Sequence, residues 1–470
     1  MLSDKEMTEL FCPQIDELLS LKPKPKTVKK RDIQLLFLKH MIATYKEKLY
    51  RTVDIGLARW IFYENGKWTE IGEEILRRMA ILCIKDVMMS FNQTSFDVSS
   101  VKNLIYLMKG EPSFHINEDV LDRLDFINFK NGTFHIDNLG FHYAGDYISK
   151  KVEVAYEPVV PQGRWHDFLV DFCRDREGRP DPEFLEYLQL IVGYSLHKGN
   201  PLQKIFFLIG NPNTGKTTFL EAITDVFEDY CQITSPNTIM ATKFQSGNSP
   251  DVAALEGKRL VVCSEIPKGL VNEELVKRLT GDQKISATAK YKAPKTFRNE
   301  ATIWIDGNVM PEFKGDDKGI EKRVVILPME HIVPKVDIEM RKDFRTSRVE
   351  QEEIANWVME GYVKAGIGLK GGEIPLPPRV QKETHSYFED LDYFSLFLSQ
   401  TCEVGEGFEI TFRRIRNQFE YWAVLNSYPF LSPTALGIKL REKGFEKKNK
   451  KVGGRVEVVY DGLKLITIEP

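Results

Sequence analysis

The chain has 470 residues, a length typical of two to four domains rather than of one hydrophobic core. Its formal net charge of −3 excludes a uniformly basic nucleic-acid binder, so any DNA-binding surface must be local. No apolar run is long enough to cross a membrane, and the acidic N-terminus lacks a secretory-signal pattern. We therefore expect a soluble, intracellular protein with no membrane partner. The six cysteines and eight histidines show no metal-ligand spacing, which predicts free thiols and no structural metal.

The first 150 residues have the mixed pattern of an α+β accessory domain. Residues 22–31 (KPKPKTVKKR) are basic and proline-punctuated, and we favour a solvated connector over a DNA contact there. A helix is predicted over residues 32–48. Hairpins are predicted over residues 60–68, with an Asn65-Gly66 turn, and over residues 126–136, around Asn131-Gly132.

Three further regions follow along the chain. Apolar residues recur at steps of three and four within residues 151–200, which predicts a helical collar or oligomerisation segment. Residues 201–370 combine an α/β pattern with a helical part. A proline-rich break at residues 373–379 (EIPLPPR) separates them from a compact region at 380–470.

A glycine-rich loop follows a buried-strand pattern at residues 204–210 (KIFFLIG) and precedes a helical pattern at 219–227. In this strand–loop–helix context the G-x-x-x-x-G-K-[ST] motif predicts a triphosphate site for ATP with Mg²⁺. Loop N–H groups and the helix N-terminus would hold phosphates, Lys216 would reach the β- and γ-phosphates, and the Thr217 hydroxyl would bind the metal. The alternative is a glycine turn with a surface lysine. The predicted nucleotide-binding residues are Gly210, Asn211, Pro212, Asn213, Thr214, Gly215, Lys216, Thr217 and Thr218.

Three polar residues lie close to later apolar strand patterns. Glu265 ends the strand pattern RLVVCSE, where an α/β sheet binds ligands, and is predicted to polarise the attacking water and to help hold Mg²⁺. Asn308 follows the strand pattern ATIWI and is the candidate γ-phosphate sensor. Arg323 precedes another strand and could neutralise transition-state charge in a neighbouring subunit. The alternatives are a surface salt bridge, a turn-forming Asn and an ordinary surface pair with Lys322.

The order of these motifs resembles a superfamily 3 helicase. The resemblance is carried by GNPNTGKTTF, RLVVCSEI, KRLTGDQKI, the loop with Asn308 and Pro311, and GIEKRVVILP. More narrowly, it resembles the phage and plasmid primase-helicase type, close to replication initiators of pathogenicity islands, which are phage satellites. It covers residues 125–330, and more weakly the region up to the C-terminus.

The resemblance implies an AAA+-like α/β ATPase fold, a homo-hexameric ring and 3′-to-5′ translocation on DNA in the cytoplasm of a bacterial host. By position it gives Lys216 and Thr217 the phosphate-loop roles, Glu265 the acidic role, Asn308 the sensor role and Arg323 the role in trans. It also makes residues 281–297 the DNA-contacting pore hairpin. This chain departs from the family pattern at Gly307, where Thr is common, and at Lys322, where arginine is frequent.

Two basic regions are candidate DNA contacts. Residues 285–297 (ISATAKYKAPKTF) predict a hairpin that turns at Ala293-Pro294, and its DNA-contacting residues would be Lys290, Tyr291, Lys292 and Lys295. Near the C-terminus, helices over residues 412–425 and 432–443 precede a basic glycine turn and a strand, which indicates a winged helix. Residues 435–455 hold eight basic and two acidic residues. The wing contacts would be Lys447, Lys448, Lys450, Lys451 and Arg455; the alternative is a solvated hairpin on an interaction domain.

The sequence therefore predicts an ATP-dependent DNA helicase that initiates replication by binding origin duplex and unwinding it to single strands, without a priming domain. Two alternatives stay open. The chain could be an ATPase that loads or recruits a host helicase, or an origin-binding protein with a vestigial ATPase. Host replication proteins are possible partners of each.

Overall fold

The computed structural model describes most of the chain beyond its first 29 residues. The described ranges are 30–53, 58–93, 95–135, 140–142, 147–157, 163–241, 250–281, 283–288, 294–313, 317–333, 337–371, 374–426, 428, 430–452 and 455–466. Within them no helix combines the length and the apolar character that crossing a bilayer needs. The same ranges hold no group of three or more His, Cys, Asp or Glu able to bind a metal ion. The described cysteines are buried free thiols, namely Cys83, Cys173, Cys231, Cys263 and Cys402.

The first unit packs three helices against a small sheet. Its elements are α1 (Lys30–Tyr45), β1 (Leu49–Thr52), β2 (Trp60–Glu64), β3 (Lys67–Ile71), α2 (Glu73–Met89), α3 (Val98–Gly110) and β4 (His115–Ile116), with 3₁₀ turns at Pro112–Phe114 and Glu118–Val120. The strand order is β3-β2-β1-β4. Asn65 and Gly66, at φ 50° and 83°, form the predicted turn between β2 and β3. Helix α1 ends three residues before its predicted end, and the chain then turns at Glu47, whose φ is 65°.

The second predicted hairpin is present with its turn shifted by one residue. Strands β5 (Phe126–Phe129), β6 (Gly132–His135) and β7 (Gly140–His142) form a three-stranded antiparallel sheet. Phe129 pairs with Gly132, so the two loop residues are Lys130 and Asn131 rather than Asn131 and Gly132. The register follows burial, because all four β5 residues are buried and pairing continues to the end of that strand.

A five-stranded parallel sheet forms the centre of the molecule. In chain order the elements are α4 (Trp165–Phe172), α5 (Pro182–Tyr194), β8 (Ile205–Gly210), α6 (Lys216–Val226), β9 (Cys231–Thr234), α7 (Pro250–Ala253), β10 (Leu260–Cys263), α8 (Glu273–Thr280), β11 (Lys284–Ala287), β12 (Lys295–Arg298), β13 (Thr302–Gly307), α9 (Lys318–Glu321), β14 (Val324–Met329), α10 (Ile338–Thr346), α11 (Arg348–Gly371) and α12 (Pro378–Leu391). Further 3₁₀ turns lie at Glu228–Tyr230 and Pro236–Thr238. The sheet order is β14-β8-β13-β10-β9, with every pair parallel.

Both faces of this sheet are covered, which explains the continuous apolar runs of its strands. On β8, Phe206 and Leu208 face one hydrophobic cluster, and Ile205 and Phe207 face the other. The first cluster contains the buried side chains of α4, α5, α6 and α11, and also those of the β5–β6 hairpin. The second contains those of α8, the β11–β12 hairpin and α12. Because all neighbouring strands are parallel, the carboxyl ends of the five strands lie at one edge of the sheet.

Helices α5 and α11 cross with almost no space between their backbones. A Cβ built on Gly193 would lie 2.0 Å from the carbonyl carbon of Gly361, and one built on Gly361 would lie 2.1 Å from the Gln189 carbonyl oxygen. Only glycine fits at either position, so this pair sets how closely α11 covers the sheet.

A buried charge network ties the β5 hairpin to the sheet and to α11. Asp125 accepts from His197 Nδ1 at 2.9 Å and also pairs with the buried guanidinium of Arg259. The other ring nitrogen of His197 lies 2.9 Å from the Tyr362 carbonyl oxygen, and the two rings stack with centroids 3.8 Å apart. Both ring nitrogens of His197 thus lie within hydrogen-bond distance of oxygen atoms. Four segments distant in the chain thus meet in one network around Asp125.

The C-terminal unit alternates helices with a three-stranded antiparallel sheet. Its elements are α13 (Tyr393–Thr401), β15 (Cys402–Thr411), α14 (Phe412–Leu425), α15 (Pro433–Glu442), β16 (Lys447–Val452) and β17 (Arg455–Leu465). The strand order is β15-β17-β16. The predicted helix over residues 432–443 is present as α15, where the Ser432 hydroxyl accepts from Ala435 N at 3.2 Å, Pro433 is the first helical residue and Gly444 turns the chain at φ 90°.

Candidate nucleotide site and basic surfaces

The glycine-rich loop lies at the carboxyl end of β8, and its glycines are required by the local backbone. A Cβ on Gly210 would lie 2.0 Å from the Met329 carbonyl oxygen of the neighbouring strand. Gly215 has φ 88° and immediately precedes α6. Asn213 is also left-handed, at φ 64°. These conformations curve the loop back over the start of α6, the arrangement in which successive N–H groups can face an anion.

Lys216, the first residue of α6, is buried and turned over the loop. Its Nζ donates to Gly210 O at 2.7 Å, to Asn211 O at 2.9 Å and to Thr214 Oγ1 at 3.0 Å. Burial lowers the pKa of Lys216, and the nearby charge of Asp306 partly offsets that effect. The ammonium is thus held at the mouth of the loop by oxygens that a phosphate could replace.

One cavity of about 910 Å³ brings together most of the residues that the sequence pointed to. It is lined by the loop and by the tips of β10 and β13, as expected where parallel strands end. The predicted residues on its wall are Pro212, Asn213, Thr214, Gly215, Lys216, Thr217, Thr218, Glu265 and Asn308. Gly210 and Asn211 are not on that wall, but their carbonyl oxygens hold Lys216. This volume is large enough for a nucleotide.

Glu265 lies two residues beyond β10 in a conformation that is rare for its type. Its φ is 58°, and its side chain is exposed to the cavity. A left-handed non-glycine residue costs about 1–2 kcal/mol, and strained residues of this kind cluster at functional sites. The bend is fixed by a neighbouring strand, because Ile266 N donates to the Asp306 carbonyl oxygen at 3.0 Å. Asn308, just past β13, is likewise exposed to the cavity.

Asp306 on β13 is a cavity residue that the sequence reasoning missed. It is 3% exposed, and its Oδ1 is buried without a hydrogen-bond partner. Burial raises the pKa of this carboxyl, while a hydrogen bond from the Ser264 side chain, the charge of Lys216 and the Glu265 N–H oppose the rise. One sequence signal could have identified it, namely an acidic residue inside the otherwise apolar strand TIWIDG.

The opposite wall of the cavity comes from α4 and α10, and it carries two arginines that were also missed. Arg341 donates to Glu221 Oε2 from Nε and Nη2, at 3.1 and 2.6 Å. Arg164 pairs with Asp337, the N-cap of α10. The segment entering α4 is in turn held by two buried carboxylates of α11, as Gly163 N donates to Glu353 and Arg164 N donates to Glu350, at 2.6 and 2.8 Å.

Arg323 lies far from the glycine-rich loop of its own chain. It immediately precedes β14, whose first residue pairs with Ile205, while Met329 pairs with Gly210 at the loop end. The six residues of β14 therefore separate Arg323 from the loop end of the sheet, a distance of about 20 Å. The guanidinium donates to Thr280 Oγ1 at 3.1 Å, Gly319 O at 2.6 Å and Gln203 Oε1 at 2.7 Å. The guanidinium is thus held by residues at the end of the sheet opposite to the glycine-rich loop.

The predicted hairpin at residues 285–297 is present as β11 and β12, paired antiparallel. Of its candidate DNA contacts, Lys290, Tyr291 and Lys292 lie outside the described residues, as does Ala293 of the predicted turn. Lys295 is described, and its Nζ forms an ion pair with Glu256 at 2.7 Å. The hairpin lies beside a cavity of about 1030 Å³ whose charged residues are largely paired, for example Lys150 with Asp122 at 2.7 Å.

The basic strand β16 presents its lysines in two different environments. Lys448 pairs with Asp461, and Lys450 pairs with Glu409 at 2.5 Å. Within the described residues, the exposed Lys447 and Lys451 have no such partner, and they point to the other side of the strand. The side chain of Arg455 lies outside the described part. The free positive charge of this strand is thus smaller than its composition indicates.

Two family profiles match separate parts of the chain. Residues 39–174 match a family described as "D5 N terminal like". Residues 208–323, which include the glycine-rich loop, match a family of unknown function, DUF5906.

The curated relatives are viral proteins, and the chain spans only part of them. It is 25% identical over 330 residues to "Putative helicase L207/L206" of Acanthamoeba polyphaga mimivirus, covering 62% of this chain and 34% of the relative. It is 30% identical over 213 residues to "Primase D5" of Fowlpox virus, covering 43% of this chain and 26% of the relative. It is 29% identical over 230 residues to "Uncoating factor OPG117" of Variola virus, covering 43% of this chain and 27% of the relative. The chain therefore spans about a third or less of these relatives.

Among solved structures, the apo C-terminal region of NrS-1, residues 305–718 of that protein, overlaps 93% of this chain and 100% of its own, at 12% identity and a TM-score of 0.48. The sequence matches carry the relationship. The chain is similar to viral proteins of the helicase and primase type, through a D5-like N-terminal segment and a following segment that contains the glycine-rich loop.

Proposed function

We propose that the chain is an ATP-dependent DNA helicase of the superfamily 3 type that initiates replication. The observation that carries this proposal is the single cavity in which Lys216, Thr217, Glu265 and Asn308 meet at the carboxyl ends of parallel strands. The strand order β14-β8-β13-β10-β9 supports an AAA+-like core. When the five strands of this sheet are numbered by their order along the chain, the sheet reads 5-1-4-3-2. Similarity to a viral protein named as a helicase supports the same assignment.

The cavity residues fit ATP with Mg²⁺. Loop N–H groups and the α6 N-terminus would bind the phosphates, and Lys216 would neutralise the β- and γ-oxygens. Thr217 and Glu265 supply hard oxygen ligands of the kind that Mg²⁺ prefers, and a buried carboxylate oxygen without a partner, Oδ1 of Asp306, lies beside them. When bound, Mg²⁺ supplies charge neutralisation at the transferred phosphate. Glu265 would accept the proton of the attacking water, and Asn308 would orient that water.

The place of Arg323 supports a ring of identical subunits. Because this arginine lies about 20 Å of strand from the loop of its own chain, it would complete a neighbour's site. A homo-hexamer is the closed assembly of this kind that the superfamily 3 resemblance implies. The β11–β12 hairpin would then face the pore and follow single-stranded DNA, with Lys290, Tyr291, Lys292 and Lys295 as the proposed contacts.

The C-terminal unit would bind origin duplex as a winged helix. Its order of helix, strand, two helices and a two-stranded wing supports that fold, with α15 as the helix for the major groove. Lys447 and Lys451 are exposed and are the better phosphate contacts, because Lys448 and Lys450 are neutralised by carboxylates of their own unit.

The test is ATP hydrolysis and strand separation by the purified full chain. We expect hydrolysis that single-stranded DNA stimulates, unwinding of a forked duplex, and loss of both in Lys216→Ala. Unwinding by Lys216→Ala at the unaltered rate would refute the proposal. ATP hydrolysis without unwinding would favour a loader of a host helicase, and origin binding without hydrolysis would favour a binding protein with a vestigial ATPase.

A further inference from the structure

The residue directly before Glu265 at the tip of β10 carries no carboxylate. That position is occupied by Ser264, whose side chain carries no charge and hydrogen-bonds to Asp306 on the adjacent strand. Strands β10 and β13 are parallel and in register, with Cys263 opposite Ile305. Ser264 and Asp306 are therefore the next residues along the two strands, side by side at the edge where the glycine-rich loop begins.

Asp306 has the properties of a ligand-binding residue rather than of a structural one. A buried carboxylate costs several kcal/mol unless its oxygens are paired, and buried polar atoms without partners are rare. Its Oδ1 has none, although the side chain is 97% buried, and the residue lines the same cavity as Lys216 and Thr217. Its charge interacts with that of Lys216.

Mg²⁺ bound with a nucleotide needs more acceptors than Thr217 and Glu265 provide. The ion is octahedral, keeps several water ligands and is held in proteins by one or two carboxylates together with phosphate oxygens. Those waters donate hydrogen bonds and require acceptors nearby, and such outer contacts contribute strongly to metal affinity. The only carboxylate in the set predicted from the sequence, Glu265, is exposed and lies at a bend in the chain. That set therefore lacks a buried carboxylate that could accept hydrogen bonds from the metal-bound waters.

We propose that Asp306, on β13, is the second carboxylate of the Mg²⁺–nucleotide site, taking the place that Ser264 leaves uncharged on β10, and accepts hydrogen bonds from water ligands of the ion. This inference rests on the proposed function. Oδ1 of Asp306, which has no protein partner, is the oxygen available for such a water.

The experiment separates metal binding from hydrolysis. Binding of the fluorescent nucleotide MANT-ATP to the full chain is titrated in EDTA, and Mg²⁺ is then titrated at fixed nucleotide. We expect Asp306→Asn to weaken the apparent Mg²⁺ affinity by about tenfold or more, as outer contacts of metals do. Its affinity for nucleotide in EDTA stays within about twofold, because the loop and Lys216 are unchanged. Asp119→Asn, which removes an exposed carboxylate in the first unit, serves as the control and has no effect.

A second variant moves the carboxylate between strands. In Ser264→Asp combined with Asp306→Ser, the charge lies on β10 and the hydroxyl on β13. We expect this double variant to recover at least part of the Mg²⁺ affinity that Asp306→Asn loses. Recovery would exclude a folding defect as the cause of the loss, since the double variant also replaces Asp306 and alters Ser264 in addition.

Three results would overturn the inference. Unchanged Mg²⁺ affinity in Asp306→Asn with slower hydrolysis would make Asp306 a positioning residue for Glu265. Loss of nucleotide binding in EDTA would make it a structural support of the loop. If the unaltered chain binds no nucleotide under any condition, the proposed function fails as well, whereas the first two results leave it intact.

Discussion

Gly193 on α5 and Gly361 on α11 are in backbone contact, such that a Cβ on Gly193 would lie 2.0 Å from the Gly361 carbonyl carbon. We expect Gly361→Ala to lower the free energy of unfolding by about 1–3 kcal/mol or more, because the helices must separate and open the core beneath them. Urea denaturation of the full chain measures this free energy. Gly110→Ala is the matched control, since nothing lies within 4 Å of a Cβ there. Equal stability of the two variants would contradict the close crossing.

The Asp125 network predicts an acid-sensitive fold. Burial alone would raise the pKa of Asp125, but the hydrogen bond from His197 and the charge of Arg259 lower it from 3.8 to about 2. A carboxyl group whose pKa is lowered in the folded protein stabilises the fold at pH values above its pKa in the unfolded chain. This stabilisation is lost as the pH falls from about 4 towards 2. We expect Asp125→Asn to be less stable at pH 7 and to show a weaker pH dependence below 4. Urea unfolding at each pH measures the free energy of unfolding. The same pH dependence in Asp125→Asn and in the unaltered chain would contradict this prediction.

Glu265→Gln tests the role of the left-handed residue beyond β10. The amide keeps the size of the side chain but cannot accept a proton. We expect ATP turnover to fall by at least about 100-fold, the usual contribution of a general base, with nucleotide affinity changed little. Lys216→Ala, in contrast, should lose binding itself. Normal turnover by Glu265→Gln in a steady-state assay would exclude Glu265 as the base.

Arg323 can be tested by mixing subunits. Arg323→Ala alone should bind nucleotide and hydrolyse it slowly, because a trans-acting arginine contributes about 1,000-fold or more. When Arg323→Ala chains are mixed with Lys216→Ala chains, some interfaces combine an intact loop with an intact arginine. We therefore expect the mixture to hydrolyse more ATP than either variant alone. A mixture as inactive as its components would place the effect of Arg323 within its own subunit, through Thr280 and Gln203.

The two sides of β16 predict unequal effects on duplex binding. We expect replacement of Lys447 and Lys451 by alanine to weaken binding and to lower the slope of log affinity against log salt by about one for each lysine lost. Replacement of Lys448 and Lys450 should change that slope less, since Glu409 and Asp461 already neutralise them. Fluorescence anisotropy over a salt series measures both. Equal slopes for the two pairs would contradict the assignment.

The features predicted correctly from the sequence are those determined by residues that are close together along the chain. The Asn65-Gly66 turn, the helix predicted over residues 432–443 and the loop ending at Lys216 each depend on neighbours within a few residues. Asp306 and Arg341 were missed because their importance comes from contacts across strands or helices, with Ser264 and Glu221 respectively. The pairing of Lys448 with Asp461 was missed for the same reason, since strand register decides which lysines remain free.

The two carboxylates of Glu350 and Glu353 connect the cavity wall to the longest described helix. Both are buried, and both accept from the backbone at the entrance of α4. If α4 moved away from α11, two carboxylates would be stranded in the interior and two amides would lose their partners, at several kcal/mol. The entrance of α4, which carries Arg164 at the cavity, is thus tied to α11, and displacing one helix from the other is energetically costly.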